Sequence, residues 1–359
     1  MASVLAALAP AFWVLLVARV MQGVASAVYL AGYLPIVAAA VRPQHRGRAL
    51  SYISTIMMLG SVVIAPLGGF VADGFGWRAV FLFKAPLLVP VVIAGWRTIP
   101  TDRAHRVPMP GRGLAVEALL LGGAVVLALL SVEYVQTGWW WSLVLGAVAV
   151  VLTVAWSRLS SSRPVLALLR RRAFGLPALA LMLMASLLGL VVFSLPYFVA
   201  EVLDDGPSVL GVAMLFFTAA ASLVAPLAGL LADRYQPLPV AAAGVAMTVA
   251  GLLSMLTLGP AANVVDLSWR MLLIGAGMAL FNSPTVTLLL AAAPEGRAGT
   301  AGGVSNLVRT LGTTIGPAAT ALMWSLGGGI GGFRTGVVML TAFAVAGLVA
   351  LVATGRHAL

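Results

Sequence analysis

The chain has 359 residues, of which 62% are hydrophobic and only 9% charged, with a net charge of +11 and no cysteine. A soluble domain carries about a quarter charged residues, so a mean hydropathy of +1.08 points to lipid as the solvent. Lack of cysteine excludes a disulfide framework, a thiolate nucleophile and a Cys-based metal site. The arginines are spread through short loops rather than gathered on one face, which argues against a nucleic-acid footprint.

Apolar runs long enough to span a bilayer as helices fall near 12–40, 49–71, 78–98, 114–132, 139–157, 174–200, 208–231, 238–258, 268–293, 299–325 and 334–354. Residues 1–9 are apolar but too short to cross alone. They lack a basic region and cleavage site, and read as the tail of a helix whose beginning is not in this chain. Fifteen arginines, from Arg42 to Arg356, lie in one set of alternate loops; Arg78, Lys84, Arg270 and Arg334 lie in the other. That bias places the first set, and the C-terminus, in the cytoplasm. The opposite loops carry Glu133, Glu201, Asp204, Asp205 and Asp266, and Trp139–Trp141 suit an outer interfacial belt.

Two stretches repeat. PQHRG at 43–47 leads to Gly60 and Ala65-Pro66, and PEGRAG at 294–299 leads to Gly312 and Gly316-Pro317. Proline follows proline at 23 residues in both, from Pro43 to Pro66 and from Pro294 to Pro317. An arginine stands three residues after the first proline of each pair. Two halves related by an axis along the membrane normal account for this. Gly60, Ser61, Ala65, Gly68 and Gly69 in the first helix, and Gly299, Gly303, Gly312 and Gly316 in the second, form small-residue stripes. Such stripes let helix backbones approach in lipid, and Pro66 and Pro317 bend them. Plain tight packing explains part of this pattern. The sharper expectation is a sliding seam between the halves.

These residues resemble a family. Gly60 with Pro66-Leu67-Gly68-Gly69 is similar to the antiporter motif of major facilitator superfamily exporters. Arg19-Val20-Met21-Gln22-Gly23 resembles their Arg-x-x-Gln-Gly motif. Gly76-Trp77-Arg78-Ala79-Val80-Phe81 resembles the start of the sixth helix in fourteen-span drug:proton antiporters, and Gly229 to Arg234, with Asp233, resembles the second copy of the cytoplasmic loop motif. The resemblance implies an all-α, two-bundle transporter fold lacking its first two to three helices. It divides the chain into an incomplete N-terminal bundle of a stub and three spans (1–98), two extra central spans with cytoplasmic loops (99–173), and a C-terminal six-helix bundle (174–359). Departures are Ala65 for a glycine, Lys84 for an asparagine, and Gln236-Pro237 where the loop motif has glycine.

Arg19 and Arg309 lie well inside spans, where an arginine costs roughly 2.5–3.5 kcal/mol and normally faces a bundle interior. Arg19, Gln22, Ser26, Tyr29 and Tyr33 share one helix face, as do Asn306, Arg309, Thr313 and Thr320. A polar stripe faces a cavity or another helix, and both readings stay open. Phe193, Tyr197, Met278, Phe281, Asn282 and Thr285 could wall a substrate cavity or be packing. Arg170-Arg171-Arg172 reads as a charge anchor. Glu117, Asp73 and Glu133 lie near span ends, and the proton-carrying acid is expected outside this chain, on the family's first helix. Asp73 and Gly23 join the gating candidates. His45, His105 and His357 have no partner at metal spacing, and no phosphate loop is present, so neither cofactor nor metal is expected.

The expected activity is efflux of small apolar or amphipathic molecules against proton entry, by a non-enzymatic, monomeric cell-membrane transporter whose partners are lipid, substrate and protons. Alternatives are metabolite uptake and a non-transporting truncated remnant. The topology has a direct test. Single cysteines at Ser162 and Ser208 should label from opposite sides of the membrane, and an impermeant reagent reaching both from outside would overturn the orientation.

Overall fold

The structure is a computed structural model that describes residues 2–40, 60, 64, 67–98, 112–135, 138–294 and 298–355. The described residues contain helices and no strand. In a hydrocarbon solvent this is expected, because a helix satisfies its backbone groups within one segment. The helices follow the apolar runs: Phe12–Ala40, Trp77–Thr98, Gly123–Glu133, Trp139–Ser157, Arg172–Ala185, Pro207–Tyr235, Pro237–Met255, Val264–Ala291, Ala298–Gly327 and Gly329–Gly355. Residues 67–75 are helical too. The rest of the expected span 49–71, apart from residues 60 and 64, lies outside the described residues, with PQHRG and with Glu295–Arg297 of PEGRAG. Seven described helices are long and apolar enough to cross a membrane. The helix Ala298–Gly327, at 30 residues, is long enough but too rich in glycine, threonine and polar residues to count among them.

Helix starts and stops have local causes. Gly76 ends the segment 67–75 with φ +77°, and its N–H bonds to the Ala72 carbonyl at 2.9 Å. Only glycine takes that left-handed cap freely. Val264–Ala291 opens with a reciprocal capping box, Asp266 N–H to Asn263 Oδ1 at 2.9 Å and Asn263 N–H to Asp266 Oδ2 at 3.1 Å. Pro196 cannot donate to residue 192. The helix running through Arg172–Val202 widens into π-helical turns on both sides of it, Leu190–Ser194 and Phe198–Val202.

The loop 158–173 holds an element that the hydropathy pattern hides. Arg163–Arg170 is an amphipathic helix with Pro164 in its first turn and Leu168 buried. Ser162, just before it, is buried and donates to the carbonyls of Ser157 and Leu159 at 3.0 and 2.8 Å. It is therefore a poor labelling site, and the exposed Ser161 takes its place in the topology test.

Contacts divide the chain into two compact units, Met1–Val107 with Gly206–Leu215, and Pro108–Asp205 with Phe216–Leu359. In the first, the short helix Ala2–Ala7 packs against both Phe12–Ala40 and Trp77–Thr98, and Ala6, Ala7, Ala18 and Phe81 form its core. In the second, Arg172–Ala185, Pro237–Met255, Val264–Ala291, Ala298–Gly327 and Gly329–Gly355 pack together around Phe174, Phe198, Leu252, Met271 and Phe333. Leu223, Leu227 and Leu230, spaced along one helix face, are exposed as a lipid-facing surface requires. The pair Ala115–Val132 and Trp139–Ser157 pack on each other and remain mostly exposed, with 6% of each span buried against 67% for Arg172–Val202.

Arg270, expected among loop charges, is buried inside a helix instead. Its guanidinium donates to the Ser254 carbonyl at 2.9 Å, the Asp266 carbonyl at 2.6 Å and Thr257 Oγ1 at 2.9 Å, and lies 4.4 Å over the Trp269 ring. It thus ties the C-terminal end of Pro237–Met255, through the Ser254 carbonyl and Thr257, to the first turn of its own helix. Arg270→Met should lower unfolding stability by about 2–3 kcal/mol, the worth of charge-assisted bonds with their acceptors left unpaired. A thermal melt in detergent unchanged from the parent would show that these bonds contribute nothing.

Candidate functional site

In the first unit the Arg-x-x-Gln-Gly residues meet the N-terminal stub. Arg19 Nη1 donates to Gln22 Oε1 at 3.5 Å, and Gln22 Nε2 donates to Ser3 Oγ at 3.3 Å. The Arg19 guanidinium also lies 4.9 Å over the Phe81 ring. Arg19 is exposed rather than buried, because the six-residue stub covers only the strip of helix around Ala18 and Gln22. Gly23 is exposed, with no described atom within 4 Å of where a Cβ would stand. The side chains of Tyr29 and Tyr33 lie outside the described residues, as do Pro66, Ser61 and Ala65.

The small-residue stripes separate into tight crossings and open positions. A Cβ on Gly69 would stand 2.7 Å from the Pro207 carbonyl oxygen and 3.2 Å from Gly211 Cα, within the first unit. Gly60 and Gly68 have no described atom within 4 Å of theirs. One turn on from Gly69, Asp73 Oδ2 accepts the Ser208 N–H at 2.8 Å.

In the second unit Gly312 and Gly316 lie against the backbone of Arg172–Val202. A Cβ on Gly316 would overlap the Ser186 carbonyl, and one on Gly312 would overlap the Met182 carbonyl. Gly189, on the facing helix, meets Gly316 and Pro317 in the same way, its Cβ position lying 3.0 Å from Pro317 N. Thr320 ties this crossing, its hydroxyl lying 3.0 Å from the Gly316 carbonyl and 3.3 Å from that of Gly189. Backbones this close gain dispersion contact that lipid tails cannot supply.

On the same helix Arg309 is half-buried and Asn306 exposed, with Thr313 half-buried beside them. Thr320 is buried at the crossing, so the stripe splits between a packed and an open end. Among the described residues Arg309 has no hydrogen-bonding or ion-pairing partner. Of the expected wall, Phe193 and Tyr197 stack with ring centroids 4.4 Å apart, and Tyr197 meets Trp324 at 5.6 Å. Trp324 was missed because its neighbours lie far away in sequence. Phe281 and Thr285 are buried, with the Thr285 hydroxyl on the Phe281 carbonyl at 2.7 Å, so both are packing. Asn282 is exposed.

In the loop motif, Asp233 and Arg234 are exposed, and Gly229 has open space around it. Arg234 lies 5.4 Å over the Tyr235 ring. Gln236, at the glycine position of the motif, has φ +70° and ψ +150°. That region belongs almost entirely to glycine. Ala115–Val132 and Trp139–Ser157 enclose a groove of about 390 Å³ whose lining includes the small residues Ala124, Ala128, Gly146 and Ala149.

Residues 1–317 match the Major Facilitator Superfamily. Among curated proteins, the chain is 30% identical over 329 residues to the multidrug resistance protein Stp of Mycobacterium tuberculosis, covering 88% of this chain and 59% of that protein. It is 28% identical to the uncharacterized transporter YebQ of Escherichia coli, covering 90% of this chain and 72% of the relative. It is 26% identical to the tetracenomycin C resistance and export protein of Streptomyces glaucescens, covering 86% of this chain and 58% of that protein. The chain thus spans about three fifths of the length of Stp.

Two substitution pairs test the crossings. Gly316→Ala should destabilise by about 1–3 kcal/mol through overpacking, whereas Gly68→Ala should stay within about 0.5 kcal/mol; equal melting temperatures for the two would contradict the geometry. Gln236→Gly should raise stability by about 1–3 kcal/mol as the strained backbone relaxes. Gln236→Ala should bring no such gain in the same melt.

Proposed function

Because the chain belongs to the Major Facilitator Superfamily, we propose that it acts in the export of small apolar or amphipathic molecules in exchange for protons, by alternating access, as part of a transporter of the fourteen-span type. The observation that carries this reading is a half-buried arginine without a described partner, on the polar stripe Asn306, Arg309 and Thr313, inside an otherwise apolar bundle. A charge kept in such a place needs a function to offset its cost. It is free to meet an acidic group or a polar part of a substrate as the protein moves. The relatives named for multidrug resistance and for tetracenomycin C export support export over uptake.

In this reading Arg309 and Arg19 are fixed positive charges, each holding an approaching carboxylate ionised. The carboxylate then takes up its proton only when the arginine withdraws. Gly312, Gly316 and Pro317 form the firm crossing of the C-terminal helices, and Gly69 lies on a second crossing. Phe193 and Tyr197 with Trp324 offer an apolar wall to substrate, with Asn282 and Asn306 adding polar contacts. Gly229, Asp233 and Arg234 sit at the cytoplasmic end, with the C-terminus on the same side. The protein works as a monomer without a cofactor.

Efflux of a fluorescent cationic dye from cells expressing the whole transporter of which this chain is proposed to be a part, with and without an uncoupler, tests the reading. Uncoupler-sensitive efflux is expected. Arg309→Ala and Arg19→Ala should each reduce it at least about tenfold at equal expression, the loss that about 1.4 kcal/mol of coupling represents. The lysine variants should keep a part of it, because they retain the charge and lose the planar fork. Efflux that persists undiminished in Arg309→Ala would remove the arginine from the mechanism.

A further inference from the structure

We propose that Asp73 is a conformational latch: its carboxylate fastens the first turn of Pro207–Tyr235 to residues 67–75 and must let go during the transport cycle. The proposal rests on the transport reading above for its purpose, and on geometry for the contact itself.

The first turn of a helix leaves its N–H groups without partners. Gly206 precedes Pro207–Tyr235 and has no side chain to cap it. Ser208 instead donates its N–H to Asp73 Oδ2 at 2.8 Å, across 135 residues of sequence. A carboxylate at this place gains both a charge-assisted bond and the positive end of the helix dipole. Gly206 also leaves room for it, since a Cβ there would stand 3.1 Å from Asp73 Oδ1. Gly69 and Asp73 are four residues apart and share a helix face. Beneath the carboxylate, Gly69 lies against Pro207 and Gly211 with backbone on backbone.

This contact differs in kind from the crossing at Gly316. There, a buried threonine and interlocked glycines hold two helices together. At Asp73 the carboxylate is exposed, and the nearest atoms to Gly69 beneath it are backbone atoms of Pro207 and Gly211. Water can replace the lost bond when the surfaces part. The helix it holds is also divided between the compact units, Pro207–Leu215 grouping with the first and Phe216–Tyr235 with the second. A rearrangement that parts this helix from residues 67–75 has to release Ser208 from Asp73.

The absence of cysteine makes Ser208→Cys a single reporter that keeps the backbone N–H. Its alkylation by N-ethylmaleimide in membranes should be slow with Asp73 present and about fivefold faster in Asp73→Leu, the effect of losing a helix cap. Asp73→Asn should fall between, because its amide oxygen still accepts the N–H without the charge. Equal rates in all three would overturn the latch. Separately, Asp73→Cys with Ser208→Cys should cross-link under oxidant and stop dye efflux, and a reductant should restore it. Efflux indifferent to the cross-link would show that the contact never opens. A protein that exports no dye in either redox state would count against the transport reading, while the alkylation rates judge the contact by themselves.

Discussion

In hydrocarbon a backbone N–H or C=O without a partner has no water to turn to, and each orphan costs several kcal/mol. Most of this structure follows from that constraint. The described chain is a set of long helices because a helix alone meets the requirement within one segment. Where a proline removes a donor, the helix does not break: Pro177, Pro226, Pro284 and Pro317 lie within α-helix, and Pro196 lies between two π-helical turns. At water-facing ends the same requirement is met by side chains, through the Asn263–Asp266 capping box, the Arg270 fork and the Asp73 carboxylate.

Once the backbone is satisfied, lipid gives helices little hydrophobic reason to associate, since tails are as apolar as leucine. Close backbone contact takes over as the source of attraction. This explains why Gly312, Gly316 and Gly189 meet at one crossing, and why Gly69 meets Pro207 and Gly211. The pair Ala115–Val132 and Trp139–Ser157, which packs chiefly on itself, has a small-residue groove and mostly exposed faces.

Polar residues inside the spans divide by whether packing has absorbed them. Thr248, Thr285 and Thr320 are buried and bond to backbone carbonyls of their own helices. Thr248 and Thr285 add little beyond local satisfaction, whereas Thr320 also reaches the Gly189 carbonyl across the crossing. Arg309 and Asn306 remain at an open edge, where packing has not absorbed them. Between the spans, Gln236 keeps a glycine conformation without being glycine.

Hydropathy alone determined the helical class and the position of nearly every described span, because the length and apolarity needed to cross a bilayer leave a strong signal in the chain. Motif resemblance extended this to the family. The amphipathic helix Arg163–Arg170 escaped, since it lies along no span and its apolar face is short. Only the tertiary structure decided which glycines matter. Gly68 and Gly69 are neighbours in the same motif, yet one has no described atom within 4 Å of its Cβ position and the other meets a backbone, a difference of helix rotation that no composition records. The same holds for Asp73. As a lone acid near a span end it carries no sequence mark of a partner, because Ser208 offers a backbone N–H, and every residue except proline has one of those.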